Sequence, residues 1–112
     1  MAYNHDAAVL KEAKDTDALF EKYGRDRDIA SRNELVGRYM YLAEIISKKF
    51  LNRGADHEDI YQVACIALIK AVERFNPEKG FKFVSFATPT IIGEIKRHFR
   101  DKSSAIRIPR RI

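Results

Sequence analysis

A chain of 112 residues is long enough for one domain with one modest core and too short for two ordinary domains. Its 46% hydrophobic and 33% charged residues exclude a disordered chain, and no apolar run approaches the ~20 residues of a bilayer-spanning helix. The net charge of +5 is concentrated in residues 96–112, where seven lysines and arginines face Asp101 alone, so a polyanionic partner competes with a merely solvated charged tail as the explanation.

Residues 1–14 are expected to form a flexible amino-terminal segment, and Asn4, His5 and Asp6 lack the basic flank and apolar core of a secretory signal. The expected location is therefore cytoplasmic, with no membrane partner. Asp15 or Thr16 can cap a short helix carrying Leu19, Phe20 and Tyr23, which Gly24 closes by tolerating a left-handed backbone. After the charged turn at 25–28, Leu35, Tyr39, Leu42, Ile46 and Phe50 recur at three- and four-residue steps and predict one long helix. Asp28 could cap it, or Ser31 with Glu34 completing a capping box; Asn52-Arg53-Gly54 ends it.

Asp56, with Asp59 three residues on, resembles another cap, and Ile60, Val63, Ala64, Ala67, Leu68, Ala71, Val72 and Phe75 follow at helical spacing. Cys65, the single cysteine, lies in an apolar run there and reads as a buried small hydrophobe. Asn76-Pro77-Glu78-Lys79-Gly80 breaks the helix, and a loop of roughly eight residues is expected next. Ser85 can cap a last helix with Ile91, Ile95 and Phe99 facing inward, ending at Ser103-Ser104 before an extended Ile106-Arg107-Ile108-Pro109. With no strand pair and no repeat, the fold class is all-α: a compact helical bundle of about four helices with an extended basic carboxy-terminal end.

Three surfaces carry more than packing requires. Ile66 and Ile69 fall on a face shared by Gln62, Lys70 and Glu73, and a second apolar stripe rimmed by polar residues suggests a protein interface, unless the amino-terminal helices bury it. Phe81, Phe83 and Phe86 alternate with Lys79, Lys82 and Ser85, a combination suited to single-stranded nucleic acid: rings stack on unpaired bases while lysines hold the backbone. A small domain also needs aromatic core, so at least one of these rings should be packing. Pro89, Gly93, Lys96, Arg97 and Arg100 lie roughly opposite the Ile91, Ile95 and Phe99 stripe, where small residues permit close approach and cations reach phosphates or base edges. Pairing of Glu94 with Arg97 or His98, and of Arg97 with Asp101, is the plain alternative, but exposed pairs contribute too little to explain the cluster.

No catalytic set is present. His5, His57 and His98 are far apart, Cys65 has no obvious base, and neither a phosphate-cradling glycine loop nor metal-ligand spacing occurs, so no enzyme activity, metal or cofactor is expected.

The run His57-Glu58-Asp59-Ile60-Tyr61-Gln62, then Lys70-Ala71-Val72-Glu73-Arg74-Phe75 and Gly80-Phe81-Lys82-Phe83, resembles region 2 of a bacterial RNA polymerase sigma factor. The continuation from Phe86-Ala87-Thr88-Pro89-Thr90 to Gly93-Glu94-Ile95-Lys96-Arg97, with Arg100-Asp101-Lys102 and Ile108-Pro109-Arg110-Arg111, is similar to the stress-response and sporulation class. The likeness covers residues 16 to 112, with part of region 1.2 ahead of region 2, and the abrupt end after Arg111 looks like a domain cut from a longer factor.

This resemblance implies a helical domain that docks on the clamp helices of the largest subunit of core RNA polymerase and recognises and opens the promoter −10 element. Asp59, Gln62 and Ile69 fall on family positions that contact the clamp, and Ile66 shares their face. Lys79 and Phe86, with Phe75 nearby, fall where the family holds the flipped non-template adenine; Phe81, Lys82 and Phe83 lie in the same melting segment. Gly93, Lys96 and Arg97, with Arg100 beyond them, fall on the helix that reads the upstream duplex edge. Pro89 and Thr90 replace the paired tryptophans that wedge the duplex in housekeeping factors, and Tyr39 and Tyr41 replace their polar Asn and Arg. An anti-sigma factor is a further implied partner, and a domain bound mainly by one is the competing reading; a generic basic RNA-binding protein is the third.

Overall fold

The computed structural model describes residues 2–51 and 56–107, with side chains over 7–51 and 56–102. Five α-helices follow in order: α1 (Ala2–Asp26), α2 (Ile29–Arg38), α3 (Met40–Lys48), α4 (His57–Arg74) and α5 (Phe83–Arg107). A single 3-10 turn, Pro77–Lys79, precedes α5, and no strand occurs among the described residues. The all-α class stands.

The first helix is longer than expected. Ala, Leu, Lys and Glu dominate its opening half, and no glycine or proline interrupts it before Gly24, so helix propensity favours continuation. Thr16 lies inside α1 and turns its hydroxyl back onto the Glu12 carbonyl at 3.0 Å instead of capping. Gly24 also stays helical, and the left-handed residue at the corner is Arg27, with φ 51°. Its N–H donates to the Tyr23 carbonyl at 2.8 Å, and its guanidinium stands 4.3 Å from the Tyr23 ring centroid. Those contacts offset the steric cost of a side chain in that region.

Asp28 is the cap of α2. Its carboxylate accepts from the Ser31 N–H at 3.0 Å, while Ser31 itself is buried in the first turn. The Ser31 side chain and then the Ser31 N–H, both hydrogen-bonding the charged form, hold this carboxyl down at about 2.

The single long helix expected from 28 to 50 is divided at Tyr39, whose backbone turns to φ −113° and ψ 10°. The Tyr39 N–H donates to Val36 at 3.1 Å, one residue short of α-helical register. Its ring joins Phe20 and Phe83, which explains why the chain bends here while its apolar periodicity continues. Asn52, Arg53 and Gly54 lie outside the described residues.

The central element is α4, capped by Asp56 at 3.4 Å from the Glu58 N–H and packed against α2, α3 and α5. Its inner face of Ile60, Ala64, Ala67, Leu68, Ala71 and Val72 is fully buried, and the alanines let neighbouring helices approach closely. Cys65 is half-buried beside Tyr61, a partner that pushes the phenol up from its ordinary value.

The connection to α5, residues 75–82, has the expected eight-residue length, but part of it is wound into the 3-10 turn. Asn76 caps the 3-10 turn through the Glu78 N–H at 3.0 Å, and Gly80, with φ 82°, reverses the chain. Only Phe81 and Lys82 separate that reversal from α5, which begins at Phe83, two residues before Ser85. Ile91 and Ile95 are fully buried against α4. The helix runs through Ser103 and Ser104 to Arg107, so Ile106 and Arg107 are helical and not extended. Before Pro109 the sequence contains no residue that compels an earlier stop. Ile108, Pro109, Arg110 and Arg111 lie outside the described residues.

Candidate nucleic-acid interface

The segment after α4 sorts its phenylalanines by depth. Phe83 starts α5 in phase with Ala87, Ile91 and Ile95, so its ring enters the core and is only 5% exposed. It lies 4.5 Å from the Tyr39 ring, 5.2 Å from Phe20 and 5.3 Å from Phe75, centroid to centroid. Phe83 was expected among the base-stacking groups. That expectation is corrected, because a base needs at least one open ring face to stack on and this ring, packed against Tyr39, Phe20 and Phe75, offers almost none to solvent. At least one of the three rings was expected to be packing, and Phe83 is in the core, with Phe86 packed partly against it.

Phe75 and Phe86 are half-buried at the rim of the same cluster, 5.6 Å apart, and Phe81 is 64% exposed. Lys79 and Lys82 are exposed, and neither forms an ion pair among the described residues. Unpaired lysines beside accessible rings supply both elements of single-strand binding.

A cleft of about 730 Å³ opens beside this cluster, bounded by α1, by the bend at Tyr39 and by the segment from Phe75 to Val84. Phe75, Phe81, Lys82 and Phe83 line it, whereas Lys79 and Phe86 do not; the Phe86 ring meets its wall at Phe75. The opposite wall was not anticipated as a surface. Arg38, Tyr39 and Tyr41 line it, with Arg38 donating to the Thr16 hydroxyl at 2.9 Å and to Glu34 at 2.7 Å. Burial, followed by the nearby Tyr41, raises the Tyr39 phenol above its ordinary value, so it stays a neutral donor. Only the two neighbouring tyrosines in the sequence could have signalled this wall.

On α5, Gly93, Lys96, Arg97 and Arg100 are all exposed on one face, as their spacing implied. A Cβ built on Gly93 would meet nothing within 4 Å, so packing inside this chain does not require glycine there. Lys96 has no ion pair among the described residues; Arg97 donates to Glu94 at 3.4 Å, and Arg100 lies 3.7 Å from Asp101. Pro89 is an exposed residue within α5, and the Thr90 hydroxyl is occupied by the Phe86 carbonyl at 3.1 Å.

The other predicted surface lies on α4. Asp59, Gln62 and Ile66 are exposed and Ile69 is half-buried. Ile66 is 54% exposed, so the amino-terminal helices do not cover it; with Val63 it borders a shallow cleft of about 240 Å³ completed by Glu94, Arg97, His98 and Asp101 of α5. Asp59 lies 3.8 Å from Lys102. Among the described residues no helix is long and apolar enough to cross a membrane.

An all-helical domain with an aromatic and basic edge, a one-sided basic helix and an uncovered apolar stripe is a binding domain. Comparison with known proteins identifies which kind. The family model for Sigma-70 region 2 matches residues 35–105, well over half of the chain. The chain is 46% identical over 81 residues to the RNA polymerase sigma factor SigF of Mycobacterium tuberculosis, covering 72% of this chain and 31% of that protein. It is 41% identical over 105 residues to the sigma-B factor of Bacillus subtilis, covering 93% of this chain and 40% of the relative. A sigma-G factor of Clostridium acetobutylicum is 36% identical over 102 residues, covering 91% and 38%. The chain belongs to the sigma-70 region 2 family, and it is similar to the SigF, sigma-B and sigma-G factors. It spans well under half the length of these relatives.

Proposed function

We propose that this chain is the promoter-specificity domain of an alternative sigma factor, acting in transcription initiation in the cytoplasm. It docks on the clamp helices of core RNA polymerase through Asp59, Gln62, Ile66 and Ile69. It opens the −10 element by capturing non-template bases on Phe75, Phe81 and Phe86 while Lys79 and Lys82 hold the backbone. Gly93, Lys96, Arg97 and Arg100 meet the duplex edge. No bond is made or broken by this chain: an unstacked base costs a few kcal/mol, and each aromatic stack returns about 1–3 kcal/mol. Phe83 takes no part in stacking and holds the other rings in place.

The observation that carries this reading is the gradient of burial from Phe83 through Phe86 to Phe81, beside unpaired Lys79 and Lys82 and directly ahead of a one-sided basic helix. A core cluster alone would have drawn all three rings inward. The test is fluorescence anisotropy at fixed salt, comparing a single strand of −10-like non-template sequence with a scrambled strand. The chain should prefer the first, and Phe86→Ala should remove most of the preference; equal affinity of the unaltered chain for both strands would sink the reading.

The second reading, a domain held mainly by an anti-sigma factor, is favoured by the apolar stripe at Ile66 and by further exposed apolar side chains at Tyr41 and Ile45 of α3. The two readings separate by competition: an anti-sigma factor on the α4 stripe excludes core polymerase and leaves single-strand affinity unchanged.

A further inference from the structure

We propose that Glu94 is a positioning residue that fixes how Arg97 meets duplex DNA and thereby sets discrimination among base pairs at the duplex edge. This rests on the promoter-binding reading above. On the outward face of α5, Lys96 has no ion pair among the described residues, and Arg100 meets only Asp101, both side chains about 70% exposed. Arg97 differs. Its Nη1 donates to Glu94 Oε1 at 3.4 Å, and Glu94 keeps only 21% of its side chain in water. The same oxygen faces Lys70 Nζ of α4 at 3.9 Å. The carboxylate is thus held between two helices, while a purely local pair would involve α5 alone.

Two consequences follow from that placement. An arginine on a surface samples many rotamers, and ordering them on binding opposes affinity; a guanidinium already held at one nitrogen loses less. Its remaining N–H donors can engage an acceptor pair such as guanine O6 and N7. A negative charge beside the basic face also weakens attraction to phosphates that ignores sequence. Glu94 therefore lowers affinity for any duplex while sharpening the choice among sequences. Lys70 keeps the carboxylate from swinging away when Arg97 is engaged.

The experiment uses core RNA polymerase carrying the sigma chain and a probe with an upstream duplex joined to a single-stranded −10-like non-template segment. Each duplex-edge base pair is varied in turn, beside a fully scrambled probe. Glu94→Gln, which keeps length and removes charge, should bind the scrambled probe about twofold or more tightly. Its discrimination among duplex-edge variants should fall by about fivefold or more. Lys70→Met, which leaves α5 untouched, should lose part of the same discrimination. In an Arg97→Ala background Glu94→Gln should change discrimination no further, because the effect runs through the arginine.

Uniform weakening of every probe by Glu94→Gln, or unchanged discrimination with a wild-type thermal midpoint, overturns the proposal while the promoter reading stands. A wild-type chain that fails to distinguish the −10-like strand from the scrambled one sinks the promoter reading and this inference with it.

Discussion

The ring of Phe83 stands 4.5 Å from that of Tyr39, joining the first residue of α5 to the bend between α2 and α3. Two residues that differ so much in sequence context meet because Phe20 and Phe75 complete the same cluster. The contact divides the phenylalanine segment into a structural ring and accessible ones. Phe83→Ala should therefore destabilise the fold by about 3–5 kcal/mol, as for other buried aromatic truncations. Phe81→Ala should stay within about 0.5 kcal/mol of the parent and weaken single-strand binding by about 1–3 kcal/mol. Chemical denaturation and anisotropy on the two variants test the division; a stability loss at Phe81 equal to that at Phe83 would contradict it.

Gly93 faces open space, so its value lies outside the folded chain. Replacing it with alanine should stabilise α5 by about 0.5–1 kcal/mol by removing backbone freedom from the unfolded chain. The added methyl would stand on the surface proposed to approach the duplex. Affinity for a duplex-edge probe should fall while the thermal midpoint rises, and a variant that improves both would remove Gly93 from the interface.

The α4 stripe predicts a separable loss. Gln62→Ala combined with Ile66→Ala should weaken binding to an isolated clamp-helix fragment of the polymerase by about tenfold or more, since anchors buried at an interface commonly exceed 1 kcal/mol. Single-strand affinity should not change. Parallel losses in both titrations would mean that the two faces have been misassigned.

Acid stability provides a test at the cap of α2. The Asp28 carboxyl is held at about 2 in the fold against an ordinary 3.8. Its contribution is complete above 3.8 and disappears as pH falls towards 2. Asp28→Asn should lower the thermal midpoint at neutral pH and flatten its decline across that acid window. A parallel shift at every pH would assign the effect to geometry alone.

The helix α4 was fully legible because three signals agree there: a cap at Asp56, an unbroken 3.6-residue apolar period and a proline-glycine stop. The bend at Tyr39 was not. Leu35, Tyr39, Leu42 and Ile46 keep helical spacing across it, so periodicity cannot register a turn of backbone caused by rings from α1 and α5. The depth of the three phenylalanines depended on where α5 begins. Starting the helix at Phe83 puts that residue on the stripe of Ala87, Ile91 and Ile95, and starting it at Ser85 hides the connection. The basic face of α5 was readable from charge and spacing alone, whereas the cleft between α1 and the phenylalanine segment depends on residues some 60 positions apart in the chain.

One consequence of α1 concerns where such a domain can be cut. The family match begins at residue 35, yet Phe20 and Tyr23 are 4% and 5% exposed and belong to the same core as Phe83 and Leu68. The shared sequence signature and the cooperative folding unit therefore have different borders. A fragment trimmed to the signature would uncover Tyr39, Phe75 and Phe83 together, converting the wall of the cleft into a sticky aromatic face. Solubility and strand binding measured on such a fragment would describe that exposed face, and the amino-terminal helix belongs in any minimal active unit.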